Sequence, residues 1–135
     1  GLSMGGYGAI MLALRHPDMF CAAASHSGAI FYGHEKLSDR DDVNSVWQKL
    51  PRGKYDCYRL ASALSRRGRM PALRIDCGKD DFLIGHNRKF AAHLSRLGVK
   101  HTYEEFPGAH TWAYWDEHIV QTLAFARRHF SINHS

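Results

Sequence analysis

The sequence predicts an α/β fold in which a parallel sheet is covered by crossover helices. Two observations lead to this prediction. Three short apolar runs with strand character alternate with segments of helical periodicity, and a glycine-rich turn with the pattern G-x-S-x-G opens the chain. Strands that alternate with helices form parallel sheets, because each crossover brings the next strand back in the same direction. No internal repeat or low-complexity tract interrupts the order.

The first half of the chain is predicted to hold a buried helix, a strand and an irregular segment. The helix covers residues 6–16, where apolar side chains follow one another until Pro17 ends it. The apolar run at residues 20–25 is expected to be a strand buried on both faces. Residues 33–56 are polar and are expected to form loops and a short helix over the edge of the sheet.

The second half repeats the alternation. Residues 56–67 have helical character, residues 72–77 form a second strand, and residues 101–106 form a third. The helix between those two strands ends at Gly98, a residue suited to a C-cap. A terminal helix is predicted to carry an apolar stripe on one face, formed by Trp112, Trp115, Ile119, Leu123 and Ala126.

The composition is that of one globular domain with no sign of a nucleic-acid, membrane or metal site. The 135 residues are 44% hydrophobic and 23% charged, with a formal net charge of +5. Basic residues are spread along the chain and cluster only at residues 66–69 and 127–128, without interleaved aromatic side chains. No apolar run is long enough to cross a bilayer, and neither an HExxH motif nor paired Cys and His spacing is present.

The three cysteines are odd in number and widely spaced, which favours neither a disulfide framework nor a metal motif. Cys21 and Cys77 lie in the strand-like runs, so both are expected to be small buried apolar residues.

The opening turn identifies a candidate nucleophile, Ser3. A G-x-S-x-G element is a sharp bend between a strand and a helix, and its glycines let the backbone crowd a serine held in a strained conformation. The helix follows the turn here, but no strand precedes it. We therefore expect residues 1–135 to be the C-terminal part of a domain, and this part starts at the turn. The preceding strands would belong to a full-length parent.

The chain can supply a base and an acid for Ser3 in the order Ser, Asp, His that α/β-hydrolase sites use. A serine hydroxyl needs an imidazole to remove its proton, and a carboxylate must orient that imidazole. His110 follows the third strand, and both Asp80 and Asp81 follow the second. His26 is the strongest competing base, but it precedes the acid in the chain.

The environment of the candidate nucleophile can also be predicted. The backbone N–H of Met4, the residue after the nucleophile, is a candidate oxyanion-hole donor, and the second donor would come from a loop before Gly1. Candidate substrate-pocket residues follow the first strand or the base, and they are Ser27, Gly28, Phe31 and Trp112. Packing on the sheet is an alternative role for Trp112 and Trp115, as core packing is for Phe31.

Three segments resemble a known family. GLSMGGYGA at residues 1–9, CGKDDFL at residues 77–83 and FPGAHTWAYW at residues 106–115 are similar to the esterase family of α/β hydrolases. That family includes esterase D (S-formylglutathione hydrolase), tributyrin and acetyl esterases, feruloyl esterases and the antigen 85 mycolyltransferases. The resemblance covers nearly the whole chain, and its last segment is most similar to the tributyrin and acetyl esterase branch. It implies catalytic roles for Ser3, Asp81 and His110, and no cofactor.

The expected function is that of a serine carboxylesterase acting on short-chain or aromatic acyl esters through an acyl-enzyme. Its partner would be a small-molecule ester, with no nucleic acid and no membrane. A thioesterase of the S-formylglutathione hydrolase type is the closest alternative, and acyl transfer to a sugar is a third variant. An inactive truncated fragment is the alternative outside enzymology, because a parallel sheet without its central strands leaves unpaired edges.

Overall fold

The computed structural model describes residues 1–32 and 41–130, so residues 33–40 of the irregular segment predicted at residues 33–56 lie outside the described residues. Helices and strands alternate as the sequence predicts. Their bounds are α1 (Met4–Arg15), β1 (Ala22–His26), α2 (Asp41–Lys49), α3 (Arg52–Tyr55), α4 (Cys57–Ser65), β2 (Ala72–Gly78), α5 (Ile84–Arg96), β3 (Thr102–Phe106) and α6 (Trp112–Phe130). The polar segment that was expected to hold one short helix holds two, α2 and α3.

The three strands form one parallel sheet in the order β1-β2-β3. His26 pairs with Asp76, and Asp76 pairs with Glu104. Because each strand is followed by a helix that returns to the same end of the sheet, the three strand C-termini lie side by side. The predicted α/β class with a parallel sheet is confirmed.

Helices α1, α4 and α5 contribute to an apolar core that covers one face of the sheet. α1 packs on β1 and α4, and α5 packs on β2. The fully or nearly buried members of this core are Ile10, Leu14, Ile30, Cys57, Tyr58, Ala61, Leu64, Leu73, Ile75, Phe90 and Leu94. Gly98 ends α5 with a φ of +70°, the left-handed conformation that its predicted C-cap role requires.

The opposite face of the sheet is polar where α6 crosses it. Arg74, itself buried, donates to the side chains of Asp76, Thr122 and Glu104. Tyr114 Oη donates to Asp76 Oδ1 at 3.0 Å. The residues of α6 that pack on this face therefore need side chains that can form hydrogen bonds with charged groups.

The apolar stripe on α6 is not the face of the helix that is buried. Trp115 is buried, but Trp112, Ile119 and Leu123 are exposed, while the buried residues of the helix are Tyr114, Trp115, His118 and Phe125. The polar face of the sheet explains the difference, because Tyr114 and Thr122 bond to Asp76 and Arg74. Apolar periodicity alone does not identify the buried side of this helix.

The edge of β1 away from β2 is apolar, and the start of the chain pairs with the end of that strand. Leu2 forms a parallel bridge with His26, and the Gly1 ammonium donates to the Ala24 carbonyl at 2.9 Å. A groove of about 270 Å³ runs along this edge, and its lining includes Ala22, Ala24, Leu12 and Phe130. Cys21, expected to be buried, is exposed at the start of the strand. No helix among residues 1–32 and 41–130 is both long and apolar enough to span a bilayer.

Candidate active site

Ser3 lies at the turn between the parallel bridge to β1 and helix α1, in a conformation that few non-glycine residues adopt. Its φ is +55° and its ψ is −123°. The Ser3 N–H donates to the His26 carbonyl at 2.9 Å, and the Ser3 carbonyl accepts from the Ala29 N–H at 3.0 Å. Such strain persists only where the surrounding structure fixes it, and it is concentrated at functional sites.

Two glycines permit this sharp turn. A Cβ atom on Gly1 would lie 2.3 Å from the Gly5 carbonyl oxygen, and one on Gly6 would lie 2.4 Å from Ser25 Oγ. Gly1 therefore lets the chain fold back on itself, and Gly6 lets α1 approach the end of β1. A Cβ atom on Gly5 would meet nothing within 4 Å, so steric crowding does not require a glycine at the last position of the motif.

The loops after β2 and β3 are held together by a close backbone approach. Asp80 N donates to the Gly108 carbonyl at 2.9 Å, and Lys79 N donates to the Phe106 carbonyl at 2.9 Å. A Cβ on Gly78 would lie 2.4 Å from the Gly108 oxygen, and Gly108 has a φ of +135°. Glycine at both positions thus brings the loop that carries the aspartates against the loop that carries His110.

Ser3, His110 and Asp81 form one continuous chain of polar contacts. His110 Nε2 lies 3.0 Å from Ser3 Oγ, and His110 Nδ1 lies 2.9 Å from Asp81 Oδ2. Asp81 is buried, and its other oxygen accepts the Leu83 N–H at 2.8 Å. Asp80 is exposed and contributes its backbone N–H to the loop contact instead. Of the two aspartates that follow β2, Asp81, the one that the family resemblance indicates, contacts His110.

Two aromatic rings contact the imidazole of His110, and sequence reasoning missed both contacts. The Phe82 ring lies 4.9 Å from it between centroids, and the Trp115 ring lies 4.8 Å from it. Trp115 is also fixed by a hydrogen bond from its Nε1 to Ser27 Oγ at 3.0 Å. The position of Phe82 beside Asp81 in the sequence was the one available signal.

The other predicted site residues have different placements. Met4 is the first residue of α1, so its N–H has no acceptor within the helix, and its side chain is 54% exposed. Ser27 is buried, and its hydroxyl accepts a hydrogen bond from Trp115 Nε1. The Gly28 carbonyl accepts a hydrogen bond from Asn87 Nδ2 at 2.9 Å. Phe31 packs with Ala29 and Leu83 in a small buried cluster. Trp112 lines a cavity of about 300 Å³ with Gly1, Leu2 and His26.

The structure contains a second histidine–aspartate pair that the sequence did not predict. His26 Nδ1 lies 2.9 Å from Asp76 Oδ2, and both side chains are buried. His26 Nε2 has no hydrogen-bond partner among the described residues. Burial by itself raises the pKa of Asp76, but hydrogen bonds from His26 and Arg74 outweigh this effect and hold the pKa below its usual value. This pair does not contact Ser3 Oγ, so His26 does not compete with His110.

Within the described ranges, no group of three or more His, Cys, Asp and Glu side chains is arranged to hold a metal ion. A histidine between a serine hydroxyl and a buried carboxylate can accept the hydroxyl proton, because the carboxylate orients the imidazole and stabilises its cation.

Comparisons with known proteins identify esterases as relatives of this chain. The chain is 29% identical, over 142 aligned residues, to an acetyl esterase of Caldicellulosiruptor saccharolyticus, and the match covers 91% of this chain and 51% of that protein. It is 33% identical to the structure of an S-formylglutathione hydrolase from Staphylococcus aureus, with a TM-score of 0.78, covering 93% of this chain and 52% of that one. A ferulic acid esterase structure is 34% identical with a TM-score of 0.76, covering 95% and 50%.

The chain thus spans about half the length of the relatives that it matches. The family model described as "Putative esterase" matches residues 1–126, which is most of the chain. The chain belongs to this esterase family of α/β hydrolases.

Proposed function

We propose that this chain carries the catalytic triad of a serine carboxylesterase, with Ser3 as nucleophile, His110 as general base and Asp81 as the orienting acid. The observation that carries the proposal is the unbroken contact from Ser3 Oγ through both nitrogens of His110 to the buried Asp81. With Nδ1 protonated and bonded to Asp81, Nε2 is free to accept the proton of the Ser3 hydroxyl.

The reaction would proceed through an acyl-enzyme. Ser3 Oγ attacks the ester carbonyl while His110 takes its proton, and His110 then returns that proton to the departing alcohol oxygen. A water molecule next attacks the acyl-enzyme by the same route in reverse, which releases the acid and restores Ser3. The Met4 N–H would donate to the tetrahedral oxyanion, and a second donor would come from the part of the parent that precedes Gly1.

The proposed substrates are esters of short-chain or aromatic acids. The acetyl esterase and ferulic acid esterase similarities support this class. A thioesterase is the second candidate, favoured by the 33% identity to an S-formylglutathione hydrolase structure. Both candidates use the same triad, so the nature of the acyl group and of the leaving group separates them.

The test compares the full-length parent with the isolated 135-residue chain, using p-nitrophenyl acetate as the ester and S-formylglutathione as the thioester. We expect the parent to be active and the Ser3→Ala parent to lose activity. We also expect the isolated chain to have little or none, because it spans about half the length of the esterases that it matches and the loss of one oxyanion donor costs roughly 10² to 10³ in rate. Full activity in the short chain would contradict the role given to the preceding segment.

A fluorophosphonate probe tests the nucleophile separately. Such probes react with activated serines, so mass spectrometry of the labelled parent should find the adduct on Ser3 and should find none in the Ser3→Ala variant. Ser27 and Ser62, which also have hydrogen-bonded hydroxyls, are internal controls. An adduct on either of them in place of Ser3 would refute the triad.

A further inference from the structure

We propose that Phe82 and Trp115 are positioning residues that fix the tilt of the His110 ring, and that Ser27 serves this role by holding Trp115. The inference rests on the proposed function, since it assigns residues that act through the proposed base. It is carried by the two ring contacts to His110, the Trp115 to Ser27 hydrogen bond and the backbone conformation of Ser27.

The two hydrogen bonds of His110 restrain its ring only at the nitrogens. They lie at Nδ1 and Nε2, which flank a single ring carbon. Tilting the ring plane about the line through these two nitrogens changes neither distance and turns the Nε2 lone pair by a small angle, because the lone pair lies in the plane and close to that line. Asp81 and Ser3 therefore place the nitrogens and leave the tilt of the plane to other contacts.

The two aromatic rings supply the missing restraint. Phe82 and Trp115 approach the imidazole with interplanar angles of 63° and 87°, which are edge-to-face arrangements. Each comes from a different element, the β2–α5 loop and helix α6. Edge-to-face pairs have a preferred geometry, so a rotated imidazole would lose both contacts or collide with one ring.

Ser27 makes its contact with Trp115 from an energetically unfavourable backbone conformation. It has a φ of +51°, a conformation unfavourable for a residue with a side chain, and it is fully buried. Its N–H donates to the Asp76 carbonyl at 2.8 Å, and its hydroxyl accepts the indole N–H of Trp115. A glycine would relieve the strain at this position but would leave the indole without its acceptor.

Phe82 is placed where packing does not explain it. It is 74% exposed, although its neighbours Asp81 and Leu83 are 2% and 3% exposed. A large exposed apolar side chain held against the imidazole contributes little to the core, so its contact with His110 is the feature that accounts for its placement.

The experiment measures kcat and KM for p-nitrophenyl acetate in the full-length parent. Phe82→Ala should lower kcat by about 10- to 100-fold with KM within about threefold, because a small misplacement of a catalytic group costs on the order of 10² in rate. Phe82→Tyr should restore most of kcat, since it keeps the ring. Phe130→Ala, which removes a Phe of similar exposure at the end of α6, is the matched control and should leave kcat unchanged.

Ser27→Gly separates positioning from stability. It removes the acceptor of Trp115 while relieving the positive φ, so the melting temperature should change little while kcat falls severalfold. In a His110→Ala background, both Phe82→Ala and Ser27→Gly should have no further effect on the residual rate, since the residue they act through is gone.

Three outcomes would overturn the inference. They are an unchanged kcat in both single variants, a raised KM with unchanged kcat, which would make Phe82 a substrate contact, and a loss that persists without His110. Each of these leaves the Ser3→Ala result intact. If instead the Ser3→Ala parent keeps its activity, the proposed function itself fails.

Discussion

Two histidine–aspartate pairs in this molecule have nearly the same local geometry, but the second nitrogen of each histidine lies in a different environment. In each, the histidine Nδ1 lies 2.9 Å from a buried aspartate oxygen. The other nitrogen of His110 lies 3.0 Å from the hydroxyl of Ser3, and its side chain is 22% exposed. The other nitrogen of His26 is buried and has no hydrogen-bond partner in the described part of the chain.

The comparison shows that a histidine–aspartate pair by itself is not a catalytic signature. Asp81 contacts the Leu83 backbone N–H and the His110 ring, so His110 is the one of these two partners that can carry a positive charge. Asp76 is shared between His26, Arg74 and Tyr114, which ties β1, β2 and α6 together. The first pair contacts a serine hydroxyl and is partly exposed, whereas the second is enclosed among side chains of β2 and α6.

The largest expected effect that separates the two pairs is on catalysis. Asp81→Asn in the parent should lower kcat by about 10⁴-fold with little change in melting temperature. An asparagine neither holds the neutral imidazole in the correct tautomer nor stabilises the imidazolium cation that forms during attack. Asp80→Asn is the matched control, one residue away and exposed. Steady-state kinetics of both variants would contradict the assignment if Asp80→Asn were the more damaging change.

The next effect is on stability. Asp76→Asn should destabilise the fold by about 3 to 5 kcal/mol, because it removes the buried counter-ion of Arg74 and leaves only the longer ion pair with the partly exposed Glu104. Urea unfolding would measure this change.

Glu105→Gln is the control for Asp76→Asn. It breaks the pair between Glu105 and the largely exposed Arg88, and such surface pairs contribute about 1 kcal/mol or less. An Asp76→Asn variant as stable as the Glu105→Gln variant would show that the buried pair does not hold the fold together.

The smallest expected effect is a dependence of that stability on pH. The pKa of Asp76 is lower in the folded state than its usual value near 3.9, so its contribution is fully present above about pH 4 and is lost as the pH falls through the folded pKa. The difference in unfolding free energy between the wild-type chain and Asp76→Asn should therefore shrink below pH 4. A difference that stays constant from pH 6 to pH 3 would show that Asp76 is not stabilised as its ion.

Much of the candidate site could be predicted because its residues lie at chain positions with a local signature. Ser3 is marked by the glycines beside it, and His110 by its place after an apolar strand and a Pro-Gly break. These signals reflect backbone conformation and strand ends, which short stretches of sequence encode. The aromatic contacts of His110 could not be predicted, because Trp115 reaches it from a helix whose rotation depends on the whole sheet face.

The sequence by itself determined the α/β order of elements, the turn at Ser3 and the succession of candidate nucleophile, acid and base along the chain, with Asp81 indicated by the family resemblance. Only the tertiary structure decided that Asp81 contacts His110, that His26 contacts Asp76, and which side of α6 is buried. The physical reason is that these choices depend on contacts between distant segments, such as the approach of Gly78 to Gly108 and the pairing of Arg74 with Asp76 beneath α6. Periodicity and motif spacing describe single segments and hold no information on which segments meet.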